Sequence, residues 1–166
     1  AAYDFGIKAS ILDQLGKFAT VEVFPASATA DEILAVEPDG IFLSNGPGDP
    51  EVVDYAVREI RRLLDGPVGG GDVPLFGICL GNQVLALAAG GRTVKLPFGH
   101  HGGNHPVRDV QTGRIDITSQ NHNFAVVADS LGGVAEVTHV NLNDGVCEGM
   151  RLVDARAWSV QHHPEA

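Results

Sequence analysis

The sequence predicts an α/β fold: an open, mixed, mostly parallel sheet with helices on both faces. Three observations predict it. Short β-prone runs alternate with helix-periodic segments through the first half. The second half is a series of short strand candidates separated by turns. Glycine, 21 of 166 residues and about twice the usual share, gathers at 45–48, 66–71, 77–81 and 99–103, where tight turns and close backbone approach are built.

Residues 2–7 and 20–24 read as strands, and between them Ile11, Leu12 and Leu15 fall at helical spacing. Residues 40–44 (GIFLS) form a third apolar strand that runs straight into turn residues. Over 51–64, Val52, Val53, Ala56, Val57, Ile60, Leu63 and Leu64 make one stripe at a period near 3.6, with charged residues opposite. Residues 66–72 read as a flexible surface loop, 73–78 as a strand, and 82–89 as a helix ended by Gly90-Gly91. Strand candidates follow at 94–96, 107–110, 115–118, 124–127, 134–140 and 157–160, with no long helix after Ala89. Repeated βαβ favours a parallel sheet; the later strands extend or flank it, partly antiparallel.

The size and the hydrophobic content of 44% suit a single domain over 1–166, with no repeat or linker dividing it. The formal charge of −10, with no Lys/Arg cluster, argues against nucleic acid and anionic lipid as partners. No apolar run reaches membrane-spanning length, and no signal peptide is visible. Two cysteines, Cys79 and Cys147, cannot make a disulfide framework, so a reducing intracellular setting is expected. The chain begins Ala1-Ala2 without Met and stops at Pro164-Glu165-Ala166, which reads as a piece of a longer chain.

The segment Leu75-Phe76-Gly77-Ile78-Cys79-Leu80-Gly81-Asn82-Gln83 carries the most chemical information. A strand runs into Gly-x-Cys-x-Gly and a helix follows, the context of a nucleophile elbow with sulfur in place of the hydroxyl. Gly77 and Gly81 remove side chains that would collide at the sharp bend. The helix N-terminus is expected to lower the thiol pKa, and the Leu80 N–H to face a developing oxyanion. A buried structural cysteine would fit the same residues, so the thiol needs a base. Cys147, in Gly145-Val146-Cys147-Glu148, has no elbow and reads as core. Of seven histidines, His162 and His163 stand where a strand runs out into a Pro-stopped turn, with Glu165 two residues on from His163. Such a tip presents imidazole and carboxylate together.

With Cys79, His163 and Glu165 in view, the motifs resemble the class I, triad-type glutamine amidotransferases. Asp4-Phe5-Gly6-Ile7-Lys8, residues 43–50 (LSNGPGDP), residues 98–107 (FGHHGGNHPV) and Gln120-Asn121-His122 are similar more narrowly to the glutaminase domain of the carbamoyl-phosphate synthetase small subunit. The resemblance covers essentially the whole chain. It implies a flavodoxin-like sheet, with Cys79 as nucleophile, His163 as base and Glu165 as its orienter. It places Gly46, Gly48, Leu80, Gln83, Asn121, Asn123 and Phe124 around bound L-glutamine, with Phe124 as an apolar wall. It implies glutamine hydrolysis through a γ-glutamyl thioester, with ammonia passed to a large subunit that uses ATP and Mg. No cofactor is expected on this domain, and a cytoplasmic location and a longer parent chain are. The family usually has His where this chain has Asn82, and Gly where it has Asn123.

His100, His101 and His105 could be read as a metal set. Loop histidines that hydrogen-bond their neighbours are the preferred reading, with no metal expected. Two other functions fit the same motifs: a non-catalytic docking module, and a Cys hydrolase acting on peptides or γ-glutamyl conjugates.

Overall fold

The computed structural model describes residues 1–66 and 72–166. Apart from its two ends, the glycine-rich stretch 66–72 lies outside the described residues. The strands are β1 (Ala2–Asp4), β2 (Val23–Pro25), β3 (Ile41–Leu43), β4 (Leu75–Ile78), β5 (Thr93–Asp109), β6 (Ile115–Val126), β7 (Ala135–Asn141), β8 (Cys147–Leu152) and β9 (Ala157–Val160). The helices are α1 (Ala9–Leu15), α2 (Ala30–Ala35), α3 (Asp54–Asp65) and α4 (Leu80–Ala88).

These strands form one mixed sheet in the order β2-β1-β3-β4-β9-β8-β6-β5-β7. The first five are mutually parallel and the rest antiparallel. The order 2-1-3-4-9 is the doubly wound pattern, and ligands bind such sheets at the carboxyl ends of the strands. The antiparallel part curls, because β7 pairs with both β5 and β8.

Side-chain alternation builds two cores. Tyr3, Ile41, Leu43 and Leu75 point to one face, where Ile33 of α2, Ala56, Ile60 and Leu63 of α3, and Val84 and Leu85 of α4 bury them. Ala2, Phe42 and Ile78 point to the other face, against Ile11 of α1. Arg61 of α3 donates to the Ala88 and Leu87 carbonyls, tying α3 to the C-terminal end of α4.

Several elements differ from the sequence reading. Helix α2 is one that the sequence reading lacks, although Thr29 and Glu32 form a complete capping box at its start. Strand β8 is another: it is buried at five of its six positions, so it lacks alternation. The short candidates at 94–96 and 107–110 are parts of the single 17-residue strand β5, whose Pro and Gly positions are absorbed by register shifts at Lys95/His100 and Gly102/His105. The candidates at 115–118 and 124–127 are likewise one strand, β6. The stripe over 51–64 starts as a 3-10 turn, Pro50–Val53, before α3. Among the described residues, no helix is long and apolar enough to cross a membrane.

Candidate active site

Four parallel strands deliver residues to one cleft. The turn after β1 brings Lys8, the turn after β3 brings Asn45, Gly46, Pro47 and Gly48, β4 ends at Cys79, and β9 runs out to His163. From the antiparallel side, β6 lays Asn121, His122 and Asn123 across the opening, and Gln83 of α4 lines it from below. The cleft holds about 310 Å³, a volume in the range of small-molecule sites.

Local sterics fix the bend at Cys79. Its φ of 55° and ψ of −104° lie where a side-chain-bearing residue is strained. A Cβ on Gly77 would stand 2.7 Å from both the carbonyl carbon and oxygen of Gly81. A Cβ on Gly81 would collide with the Leu43 carbonyl, and one on Gly46 with the Phe5 carbonyl. The first turn of α4 therefore presses against β3 and β4, and the loop after β3 presses against β1, as only glycine allows.

Cys79 is buried, and its Sγ contacts the Asn121 carbonyl at 3.9 Å. Burial pushes its thiol up to about 11, against the pull of the Leu80 N–H and the Lys8 charge. This corrects the expectation of a lowered pKa: desolvation outweighs the helix N-terminus, and the resting group is a thiol.

His163 is buried too, and its Nδ1 lies 2.8 Å from Glu165 Oε1. The carboxylate accepts, so Nδ1 carries the hydrogen and Nε2 keeps its lone pair for the cleft. Lys8 Nζ sits 3.5 Å from the same Glu165 oxygen and 3.3 Å from Nδ1. Its ammonium group thus lies against both members of the His163–Glu165 pair.

The other predicted residues fall in and around this cleft. Gly48 has a φ of +95° and open space where a Cβ would stand. Leu80 is buried and offers its backbone N–H beside Cys79. Gln83 Nε2 donates to the Phe124 carbonyl at 2.7 Å and to Gln161 Oε1 at 3.1 Å. Phe124 is not among the lining residues; its carbonyl is the working group, in place of the apolar wall the sequence suggested. Asn123 does not adopt a positive φ, so Asn in place of Gly introduces no backbone strain. Asn82, the other departure, is fully buried: it donates to Gln161 Oε1 at 3.0 Å and accepts from Ser159 Oγ at 2.8 Å, bracing α4 on β9.

The histidines of β5 do not gather into one set. His100 lies between Asp144 Oδ2, at 2.7 Å from Nε2, and Glu148 Oε1, at 3.3 Å from Nδ1. His101 meets Asn121 and Asn123, and His105 meets the His101 carbonyl. Among the described residues, His100, His122 and Glu148 are the one trio whose possible ligand atoms lie within 4.8 Å of one another. His122 Nε2 is taken by Gln120 and His100 Nδ1 by Glu148, so the trio forms a hydrogen-bonded cluster rather than an open donor set.

The family model for glutamine amidotransferase class-I matches residues 1–166. The chain belongs to the class-I glutamine amidotransferases. It is 52% identical over 166 residues to the chloroplastic carbamoyl phosphate synthase small chain of Arabidopsis thaliana, covering 99% of this chain and 37% of that protein. It is 54% identical to the carbamoyl phosphate synthase small chain of Syntrophotalea carbinolica, covering 99% and 43%. It is 56% identical over 167 residues to that of Brucella anthropi, covering 99% and 40%. The chain thus spans about two fifths of the length of these curated relatives. Two solved structures share the fold. A protein from Thermoplasma acidophilum, described as a GMP synthase component, superposes with a TM-score of 0.82 at 19% identity, over 99% of this chain and 84% of that one. A glutamine amidotransferase from Thermotoga maritima gives 0.73 at 17%, over 99% and 75%.

In this amidotransferase, sequence reasoning named much of the cleft lining but not Lys8, Asn45, Pro47 or His122, which also line it, nor Gln161 and Glu148 behind it. Lys8 is 155 positions from His163, and Gln161 is 78 from Gln83. Only the fold joins them. Asn45 had a local signal, since it precedes the Gly46-Pro47-Gly48 turn, and its Oδ1 accepts from the Lys8 N–H at 3.1 Å. Gln120 and His122 stood in a quoted motif without an assigned role, and Glu148 had no signal, because its partners Gln120 and Asn141 lie on two other strands.

Proposed function

We propose that the cleft hydrolyses glutamine to glutamate and ammonia. The observation that carries this reading is the shared cleft itself. Cys79 stands on a strained bend there, and His163 lines the same cleft with its Nδ1 held by Glu165 at 2.8 Å. The side-chain carboxamide of L-glutamine enters between Gly48 and Cys79, with its amino-acid head toward Asn121 and Asn123. As Sγ forms its bond to the amide carbon, His163 Nε2 takes the thiol proton. The N–H groups of Gly48 and Leu80 receive the oxyanion. The imidazolium, steadied by Glu165, passes its proton to the departing nitrogen as the C–N bond breaks. Ammonia leaves and a γ-glutamyl thioester remains. Water, deprotonated by His163, adds to the thioester; the C–S bond breaks and glutamate is released.

This hydrolysis calls for no cofactor on the chain. The partner that consumes the ammonia, with ATP and Mg used there, is a synthase large subunit; the identity to carbamoyl phosphate synthase small chains supports this reading. Work in arginine and pyrimidine synthesis, in the cytoplasm, is part of the same proposal. The test is a glutamate-release assay. The wild-type chain should hydrolyse glutamine, and Cys79→Ala should not while keeping its fold. Hydrolysis that survives in Cys79→Ala would overturn the reading.

A further inference from the structure

Glu148 is a fully buried carboxyl group that the chemistry above does not use. It sits on β8. Its Oε1 accepts from Asn141 Nδ2 at 2.9 Å, and its Oε2 meets Gln120 Nε2 at 2.8 Å. The other end of Gln120 meets His122 Nε2 at 2.8 Å, and His122 Nδ1 meets the Phe124 carbonyl at 2.7 Å. Gln83 donates to that same carbonyl. A continuous relay therefore runs from Glu148 to the strand segment 121–124, of which Asn121, His122 and Asn123 line the cleft.

Hydrogen counting constrains this relay. The Phe124 carbonyl can only accept, so His122 Nδ1 must carry a hydrogen. In one satisfied arrangement His122 Nε2 carries a second hydrogen and donates to the Gln120 carbonyl, while Gln120 donates to Glu148 as a carboxylate. In the other, the Gln120 amide is turned: it donates to His122 Nε2, and its oxygen accepts from Glu148 as a carboxylic acid and from the Thr118 hydroxyl, which turns away from the His105 carbonyl to reach it. Both arrangements hold the same single proton, on His122 or on Glu148. Burial favours the uncharged one, pushing His122 down to about 4 and Glu148 up. In both, the His122 Nδ1–H stays on the Phe124 carbonyl.

We propose that Glu148 is a positioning residue for the substrate: through Gln120 it fixes which nitrogen of His122 donates, and so clamps the Phe124 carbonyl and the adjoining cleft-lining residues 121–123. The inference rests on reading the cleft as a glutamine site. Without Glu148 the Gln120 amide loses its outer anchor, His122 can exchange tautomers, and its lone pair can face the carbonyl.

Three variants of the full chain test this: Glu148→Leu, Glu148→Gln and Gln120→Met. Two readouts are taken: KM and kcat for glutamine hydrolysis, and amide hydrogen exchange over 121–124 by mass spectrometry, with α3 as the remote control. Loss of one clamping hydrogen bond is worth about tenfold. Glu148→Leu and Gln120→Met should raise KM about tenfold with kcat within about threefold, and should speed exchange at 121–124 by a similar factor with α3 unchanged. Glu148→Gln presents an N–H where the carboxylic acid presents its O–H, and should restore both readouts. Unchanged KM and exchange, a fall in kcat alone, or a Glu148→Gln variant as impaired as Glu148→Leu would each overturn the proposal. If Glu148→Leu does not fold, Gln120→Met decides. If the wild type does not hydrolyse glutamine, the functional reading fails by itself and exchange over 121–124 still decides the clamp.

Discussion

Gly77→Ala probes the bend directly. The added Cβ would stand 2.7 Å from the Gly81 carbonyl carbon and oxygen and 3.1 Å from the Asn82 nitrogen, whereas ordinary contact begins at 3.4 Å. The first turn of α4 must then retreat from β4 by about 0.7 Å, the difference between contact and clash. It cannot slide toward β3, because Gly81 already presses on the Leu43 carbonyl. The helix behind it is packed on all sides, with Val84, Leu85 and Ala86 fully buried. Forcing an extra methyl into such a core costs about 1–3 kcal/mol. The same displacement carries Cys79 and the Leu80 N–H away from the substrate carbonyl, and a misplacement near 1 Å costs about a hundredfold in rate. Urea unfolding and kcat/KM for glutamine hydrolysis, measured on the same preparation, give both numbers. Stability within about 0.5 kcal/mol of wild type, with kcat/KM within about twofold, would refute the steric account of the elbow.

Other outcomes follow from the same geometry. With the Cys79 thiol pushed up to about 11, its thiolate fraction grows about tenfold per pH unit through pH 7 to 9. Iodoacetamide alkylation of Cys79, followed by peptide mass spectrometry, should rise with that slope, and a plateau below pH 8.5 would contradict it. His163→Asn removes the base and should cost at least about a thousandfold in kcat, whereas His162→Asn should cost less than about tenfold. The His162 ring packs beside His139 at 5.8 Å between centroids and does not line the cleft, so equal losses would mean the wrong histidine carries the chemistry.

The parts of this site that sequence reveals are those set by local sterics. Gly77, Cys79 and Gly81 are legible because a bend that tight excludes side chains at both flanking positions. His163 and Glu165 are legible because a proline-stopped strand end carries both within three residues. The parallel half of the sheet is legible for a similar reason, since its strands and helices alternate. Long-range placement is what the sequence hides. Strand β8 escapes notice because Cys147, Glu148, Gly149 and Met150 are all buried and show no alternation. The β5–β6 hairpin looks like four short strands because Pro97, Gly99, Gly102 and Gly103 mimic turns, whereas register shifts carry the pairing past them. Helix α2 is a different case: the Thr29–Glu32 capping box was readable, but six residues offer little periodicity. Lys8 on the cleft wall and Glu148 behind it acquire meaning only once distant strands are neighbours.

The most direct test of the central claim, that Cys79 and His163 form one reactive centre, is covalent capture. The chain is treated with a glutamine-like electrophile and digested, and the modified peptide is sequenced by mass spectrometry. A single adduct on Cys79 that is lost in His163→Asn is the expected result. An adduct on Cys147 or a histidine, or one on Cys79 that forms equally fast without His163, would contradict it.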